Sequence, residues 1–283
     1  MKKVFIVGAG QMGLDIGQVM AKTGIEVIFR DITDEILAKS KEKLIKGLDK
    51  LVSKGKLDEA GKDALLSRIS FTTKLDSAKD ADLVLEAILE NLKIKKELFA
   101  DLDKICKPET ILATNTSSIS ITEIASATKR PGQFIGMHFF NPATVMKLVE
   151  VIRGYSTSDE TFNKIFELSK AIGKDPIEVK EGPGFVVNRI LIPMLNEASI
   201  VLEEGLASPA DIDKAMVLGC NHPIGPLALA DLIGLDTCLH IMDTYFAETQ
   251  DSKYRASRLL RQLVRAGKLG RKTGIGFFDY TAK

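Results

Sequence analysis

The sequence predicts an α/β fold, an open and mostly parallel sheet flanked by helices, followed by a segment that is almost all helix. Three observations predict it. An apolar run, Val4-Phe5-Ile6-Val7, leads into the glycine series Gly8-Ala9-Gly10-Gln11-Met12-Gly13, and a helical pattern follows from Leu14 to Thr23. A second run, Glu26-Val27-Ile28-Phe29, completes a strand–helix–strand unit, whose two strands must lie parallel. Past Glu181-Gly182-Pro183-Gly184 the texture changes, and from Val186 onward no convincing strand occurs until the end of the chain. That glycine–proline turn divides an expected sheet domain, residues 1–183, from an expected all-α domain, residues 184–283.

The remaining elements follow in order. From Thr33 to Arg68 the chain is highly charged, with Leu44, Leu48, Leu51 and Val52 at helical spacing and Gly55 and Gly61 as interruptions. This predicts a helical hairpin at about 33–68, inserted into an otherwise Rossmann-type, doubly wound plan and longer than a simple crossover requires. Residues 69–71, 83–87 and 111–114 are expected buried strands, with a helix over 93–104 before the last of them. Strands over 134–139 and 148–152, a helix over 161–171 and a strand over 177–179 complete the sheet domain.

Composition excludes several function classes. Hydrophobic residues make up 45% and charged residues 27%, the balance of a soluble globular chain with a real core. Lysine and arginine number 39 against 38 acids, so no basic excess is available to bind nucleic acid. Cys106, Cys220 and Cys238 are widely spaced and read as reduced thiols, and His138, His222 and His240 are too few and too scattered for a metal centre. No apolar stretch approaches the roughly 20 residues that span a bilayer. The run after Met1-Lys2-Lys3 stops at Gly8 without a cleavage-type continuation, so a cytoplasmic location and no membrane partner are expected.

The glycine series is G-x-G-x-x-G directly after a strand and at the opening of a helix. The first glycine permits the tight turn, the second lets the backbone approach a pyrophosphate, and the third allows close helix–strand packing. Alone the motif is weak, because glycine turns between strand and helix are common. Asp31, 18 residues after Gly13 and at the end of the second strand, raises it: a carboxylate there accepts hydrogen bonds from a ribose diol. The same carboxylate repels a 2′-phosphate, which favours NAD over NADP, while Arg30 beside it could soften that preference. The bland alternative is a glycine-rich turn with a surface aspartate.

Three stretches invite chemistry. Thr114-Asn115-Thr116-Ser117-Ser118 follows an apolar strand, where ligands of open α/β sheets bind, although Ser and Thr there also serve as helix N-caps. In Gly136-Met137-His138-Phe139-Phe140-Asn141-Pro142 a lone histidine among apolar residues is ordinarily a satisfied core residue. Glu150 changes the odds. If 134–139 and 148–152 pair as antiparallel strands, His138 and Glu150, each six residues from Thr144, stand opposite one another. The carboxylate would then fix the imidazole tautomer and stabilise the imidazolium, and a slip of one residue would break the pair. In Gly184-Phe185-Val186-Val187-Asn188-Arg189, Asn188 is as readily a helix-surface residue as a substrate contact.

With these residues assembled, the chain resembles the L-3-hydroxyacyl-CoA dehydrogenase family, and closely its short bacterial form. The likeness runs through Val4–Gly13, Asp31, Glu86–Lys96, Thr114–Ser118, Gly136–Glu150, Gly182–Arg189 and Pro223–Asp236; His138-Phe139-Phe140-Asn141-Pro142 with its spacing to Glu150 is its most specific part. The resemblance implies NAD as cofactor and an acyl-CoA substrate of short chain. His138 would be the general acid/base, oriented by Glu150, while Ser117 and Asn188 hold the substrate oxygens. Gly8, Gly10, Gln11, Met12, Gly13 and Asp31 would form the cofactor turn, with Glu90, Lys95, Asn115, Ser117, Asn141 and Lys272 as further cofactor contacts; Asn141 would also border the substrate.

Under the same resemblance the charged hairpin gains a purpose. Lys43, Lys46, Lys50 and Lys54 share one helix face, and Lys50 and Lys54 would meet the 3′-phospho-ADP end of coenzyme A, unless the face is simply solvated. Apolar stripes on more than one side of the rear helices imply a homodimer through the C-terminal domain. Two rivals remain: a dehydrogenase of the same fold for a free hydroxy acid or an L-gulonate-type sugar acid, and a non-catalytic NAD-binding structural protein. The lysine face favours a coenzyme A ester over the first, and an intact His138–Glu150 pair argues against the second.

Overall fold

The apolar runs become strands and the charged, periodic stretches become helices, in the order anticipated. The computed structural model describes residues 1–281, so positions 282–283 of the expected all-α domain lie outside the described residues. The chain divides into two compact units between Gly182 and Pro183.

The first unit runs β1 (Lys3–Val7), α1 (Gln11–Lys22), β2 (Glu26–Arg30), α2 (Asp34–Ser53), α3 (Glu59–Leu66), β3 (Ile69–Thr72), β4 (Leu83–Glu86), α4 (Leu92–Ile105), β5 (Ile111–Thr114), α5 (Ile121–Ala125), β6 (Phe134–Phe139), β7 (Leu148–Arg153), α6 (Asp159–Ala171) and β8 (Asp175–Lys180). Among the described residues the strands form one eight-stranded sheet in the order β3-β2-β1-β4-β5-β6-β7-β8. Every neighbouring pair is parallel except β6–β7, which is antiparallel. The direction of winding reverses between β1 and β4, the position where doubly wound sheets open a crevice at their carboxyl ends. Strands β1, β4 and β5 are buried along almost their whole length, as a sheet covered on both faces requires. The core cluster runs from Val4 to Ile172 and takes in Leu14, Ile16 and Met20 of α1 and Leu37, Leu44 and Leu48 of α2.

Three local expectations need correction. Helix α1 begins at Gln11, not Leu14, because the last three positions of the glycine series already lie in its first turn. Gly61 does not interrupt the hairpin: it sits in the first turn of α3, where its N–H donates to the capping carboxylate of Asp58 at 2.8 Å, and the break falls at Gly55, with φ +65°. The cap after β5 is Ser120, whose hydroxyl accepts from Glu123 N–H to start α5, so the Thr114–Ser118 stretch does not serve as that cap.

The second unit is helical: α7 (Val187–Glu203), α8 (Pro209–Cys220), α9 (Pro226–Ile233), α10 (Leu235–Thr249) and α11 (Arg258–Arg265). Its main core joins Ile192, Leu195, Leu235, Met242, Tyr245 and Leu260. The only β pairing here among the described residues is two isolated bridges, Gly270–Ile275 and Ile275–Asp279, near the end of the chain. Asp231, buried in α9, accepts from Phe277 N–H and Phe278 N–H, each at 2.9 Å, and so ties this tail down. No helix among the described residues is long and apolar enough to cross a membrane.

Candidate active site

At the carboxyl end of β1 the glycine turn is shaped by the protein itself. Gly8 has φ +105°, and a Cβ there would lie 2.4 Å from the Ala87 carbonyl oxygen just past β4. A Cβ on Gly13 would fall 1.8 Å from the Gly8 oxygen. Gly10 differs, because a Cβ on it would meet nothing within 4 Å: its place faces open space at the start of α1. That helix has no side-chain cap and no acid in its first turn, so its leading N–H groups and the positive end of its dipole are open to an anion. Asp31 accepts from Ala9 N–H and from Ile32 N–H, both at 2.8 Å, which fixes its carboxylate beside the turn with lone pairs to spare. An NAD pyrophosphate and adenosine ribose fit these features. Gln11 donates to Asp15 at 2.8 Å, Met12 packs on the core, and Arg30 is held by the Thr73 carbonyl at 3.3 Å.

The next carboxyl end, that of β4, carries a buried charge cluster. Glu86, fully buried, accepts from Lys95 Nζ at 2.5 Å, Thr114 Oγ1 at 2.7 Å and Ile88 N–H at 2.7 Å. Lys95 also lies 3.2 Å from Glu90, and with 1% of its side chain exposed it supports Glu90 from behind. Glu90 in turn gathers the loop after β5: it accepts from Thr116 Oγ1, from Ser117 N–H at 3.0 Å and from both the N–H and the hydroxyl of Ser118, at 3.2 and 3.0 Å. Burial pushes the Glu90 carboxyl up, but the Lys95 charge and the donors from Thr116, Lys95 and Ser117 outweigh it and hold the group below the usual carboxylate range. The Ser117 hydroxyl has no protein partner among the described residues. Asn115 accepts from Phe139 N–H at 2.8 Å, which joins this loop to the end of β6.

The antiparallel pair β6–β7 brings His138 and Glu150 together. Its register matches Gly136 with Ile152, His138 with Glu150 and Phe139 with Val149. His138 Nδ1 lies 2.7 Å from Glu150 Oε2, and both side chains are buried. The Phe140 ring stands 4.6 Å from the imidazole, centroid to centroid. Asn141, exposed, opens the loop back to β7.

Other expected positions stand elsewhere on the chain. Asn188 occupies the first turn of α7 and is half-buried. Lys272 pairs with Asp236 within the second unit. Lys43, Lys46, Lys50 and Lys54 are all exposed along α2 and its C-cap, and Lys46 is drawn to Glu42 at 2.6 Å. Sequence reasoning did not single out Glu86. A lone acid closing an otherwise apolar strand, nine residues before Lys95, was the available signal.

Residues 3–182 match the family model of the 3-hydroxyacyl-CoA dehydrogenase NAD-binding domain, and residues 184–280 match that of the 3-hydroxyacyl-CoA dehydrogenase C-terminal domain. The chain belongs to the 3-hydroxyacyl-CoA dehydrogenase family. It is similar to the 3-hydroxybutyryl-CoA dehydrogenase of Clostridioides difficile, with 55% identity over 98% of this chain and 99% of that one. It is also similar to human mitochondrial hydroxyacyl-coenzyme A dehydrogenase, with 47% identity over 99% of this chain and 91% of the relative. Among solved structures, (S)-3-hydroxybutyryl-CoA dehydrogenase from Ralstonia eutropha superposes with a TM-score of 0.97 at 53% identity, covering 99% of each chain. Like its family, the chain is an NAD-dependent oxidoreductase that interconverts 3-hydroxyacyl-CoA and 3-oxoacyl-CoA.

Proposed function

We propose that the substrate pair is short, (3S)-3-hydroxybutyryl-CoA and acetoacetyl-CoA, and that His138 is the general acid/base of the reaction. The observation that carries the second claim is the 2.7 Å contact between His138 Nδ1 and Glu150 in a buried setting. With Nδ1 committed to the carboxylate, the proton exchanged with substrate passes through Nε2. In oxidation His138 takes the proton of the 3-hydroxyl; in reduction the imidazolium returns it to the 3-oxo oxygen. Glu150 keeps the tautomer and steadies the imidazolium without itself accepting the proton. NAD, when bound, supplies the hydride chemistry at C3. Ser117, with its unused hydroxyl, and Asn188 hold the substrate oxygens and keep C3 in place. The names of the Clostridioides and Ralstonia relatives support the short acyl chain.

For the cofactor, Gly8–Gly13 and Asp31 receive the pyrophosphate and ribose, Glu90, Asn115, Asn141 and Lys272 make further contacts, and Lys95 acts through Glu90. Lys50 and Lys54 meet the phosphates of coenzyme A from the exposed face of α2. Two copies pair through the second unit, a reading supported by Ile190, Leu206 and Leu218, which are 69%, 67% and 73% exposed. The dimer works in the cytoplasm.

The test is NADH oxidation with acetoacetyl-CoA and with free acetoacetate, for wild type and His138→Ala. Turnover of the thioester alone, lowered about 10²- to 10⁴-fold in the variant, is the expected result. Turnover of the free acid alone sinks the coenzyme A assignment, and activity that survives the substitution sinks the role of His138.

A further inference from the structure

Lys174 lies between α6 and β8, is 7% exposed, and has no part in the chemistry above. Its ammonium donates to the Ala143 carbonyl at 2.5 Å and to the Met146 carbonyl at 2.7 Å. Both carbonyls belong to residues 140–147, the loop that joins the strand of His138 to the strand of Glu150. No carboxylate closes an ion pair with Lys174 among the described residues, although the charge of Asp15 in α1 acts on it from a distance. A buried ammonium is costly unless its donors are met. Here two main-chain oxygens of one loop meet two of its three donors.

The loop is tethered where its own side chains give it little anchorage. Val145 and Met146 are 70% and 42% exposed at its tip, and Ala143 alone is fully buried. Within the loop, Val145 N–H and Met146 N–H both donate to the Pro142 carbonyl at 3.0 Å. From outside, Asp175 N–H donates to the Lys147 carbonyl at 2.9 Å, and the parallel register of β7 and β8 continues from Leu148 and Asp175. The α6–β8 connection thus holds the descending limb with its backbone and the tip with one side chain.

We propose that Lys174 is a positioning residue for the acid–base pair: it seats the loop that carries Asn141 and sets His138 against Glu150. The role of the pair is the one assigned under Proposed function, on which this inference rests. Removing the ammonium leaves two inward-facing carbonyls without a donor, so the loop must shift to find water, and His138 and Glu150 lose their fixed approach.

Lys174→Met and Lys174→Gln, the second keeping an N–H donor, test this by steady-state kinetics and by hydrogen exchange. For Lys174→Met we expect kcat with acetoacetyl-CoA to fall at least tenfold while KM for NADH changes less than threefold. Exchange at residues 143–147 should accelerate at least tenfold, with β1 unchanged, and Lys174→Gln should recover part of both losses. A folded Lys174→Met protein with wild-type kcat and unaltered exchange at 143–147 overturns the proposal. If Lys174→Met does not fold, exchange in the wild-type protein decides. Protection of Val145 and Met146 comparable to β6 supports the tether, and exchange at the rate of a free loop overturns it. Activity surviving in His138→Ala would defeat the proton-transfer reading while leaving the exchange result standing, so the two failures are distinguishable.

Discussion

Asp82 and Glu86 flank the two ends of β4, four residues apart, and are treated in opposite ways. Asp82, at the amino end, stays partly exposed and collects Lys107 Nζ at 2.7 Å and the N–H groups of Lys2 and Lys3 at 2.7 and 3.2 Å. Burial raises its carboxyl, yet Lys107 and the two backbone donors pull it down to about 2. Glu86, at the carboxyl end, has no exposed surface and relies on Lys95, Thr114 and Ile88 N–H. The amino edge of this sheet keeps its charges near water, where pairing is cheap and worth little. The carboxyl edge buries the Glu86–Lys95 pair beneath the loops proposed above to receive cofactor and substrate, where an ion pair costs desolvation but holds its neighbours in one arrangement. Position along a single strand thus separates architecture from chemistry.

The contrast can be broken most severely at Lys95. Lys95→Met strands the Glu86 charge in the interior and should cost about 3–5 kcal/mol in a denaturant titration. Adding Glu86→Gln should restore much of it, and a Lys95→Met protein as stable as wild type would deny the buried pair its importance. Next come the glycines. Gly13→Ala forces backbone apart and should both destabilise the fold by about 1–3 kcal/mol and weaken NADH binding. Gly10→Ala should change stability by less than about 1 kcal/mol, yet still weaken NADH at least tenfold in a fluorescence titration. Equal effects on binding and folding at Gly10 would mean that its open face does not receive the cofactor.

Smaller still is the effect at Asp31: Asp31→Asn removes the repulsion of a 2′-phosphate and should shift the NADH-to-NADPH ratio of kcat/KM about tenfold toward NADPH. Last is Asp82→Asn, expected to cost below about 1 kcal/mol at neutral pH. Its folded carboxyl, at about 2, lies below the roughly 3.9 of an unfolded chain. The wild-type advantage is therefore complete above pH 5 and disappears as pH falls toward 2. Urea midpoints of the two proteins should converge over that range, and a constant gap would show that the pairing contributes nothing.

The features legible in the sequence were those with a local signature. The glycine series, the parallel strand unit and the helical hairpin each announce themselves within a few turns of chain, and His138 and Glu150 could be matched because one hairpin carries both. Glu86 and Lys95 were harder. Their contact depends on how α4 lies against β4, and an acid at the end of an apolar strand looks the same whether it is buried or wet. Lys174 is one basic residue among 39, and nothing in its spacing says that its stem is enclosed. Gly61 misled for a related reason: glycine ends many helices, but with Asp58 three residues before it, it belongs to a capped start.

The equal spacing of His138 and Glu150 from Thr144 makes the intervening loop a ruler. Surface loops ordinarily tolerate gain or loss of residues at small cost. In this one, a length change that slips β7 by one residue against β6 moves the carboxylate to the opposite face of its strand and away from the imidazole. Substitutions at the exposed tip leave the measure intact; changes in length that slip the register do not. For anyone grafting or shuffling segments of this enzyme, the stretch from 138 to 150 is therefore a single indivisible cassette.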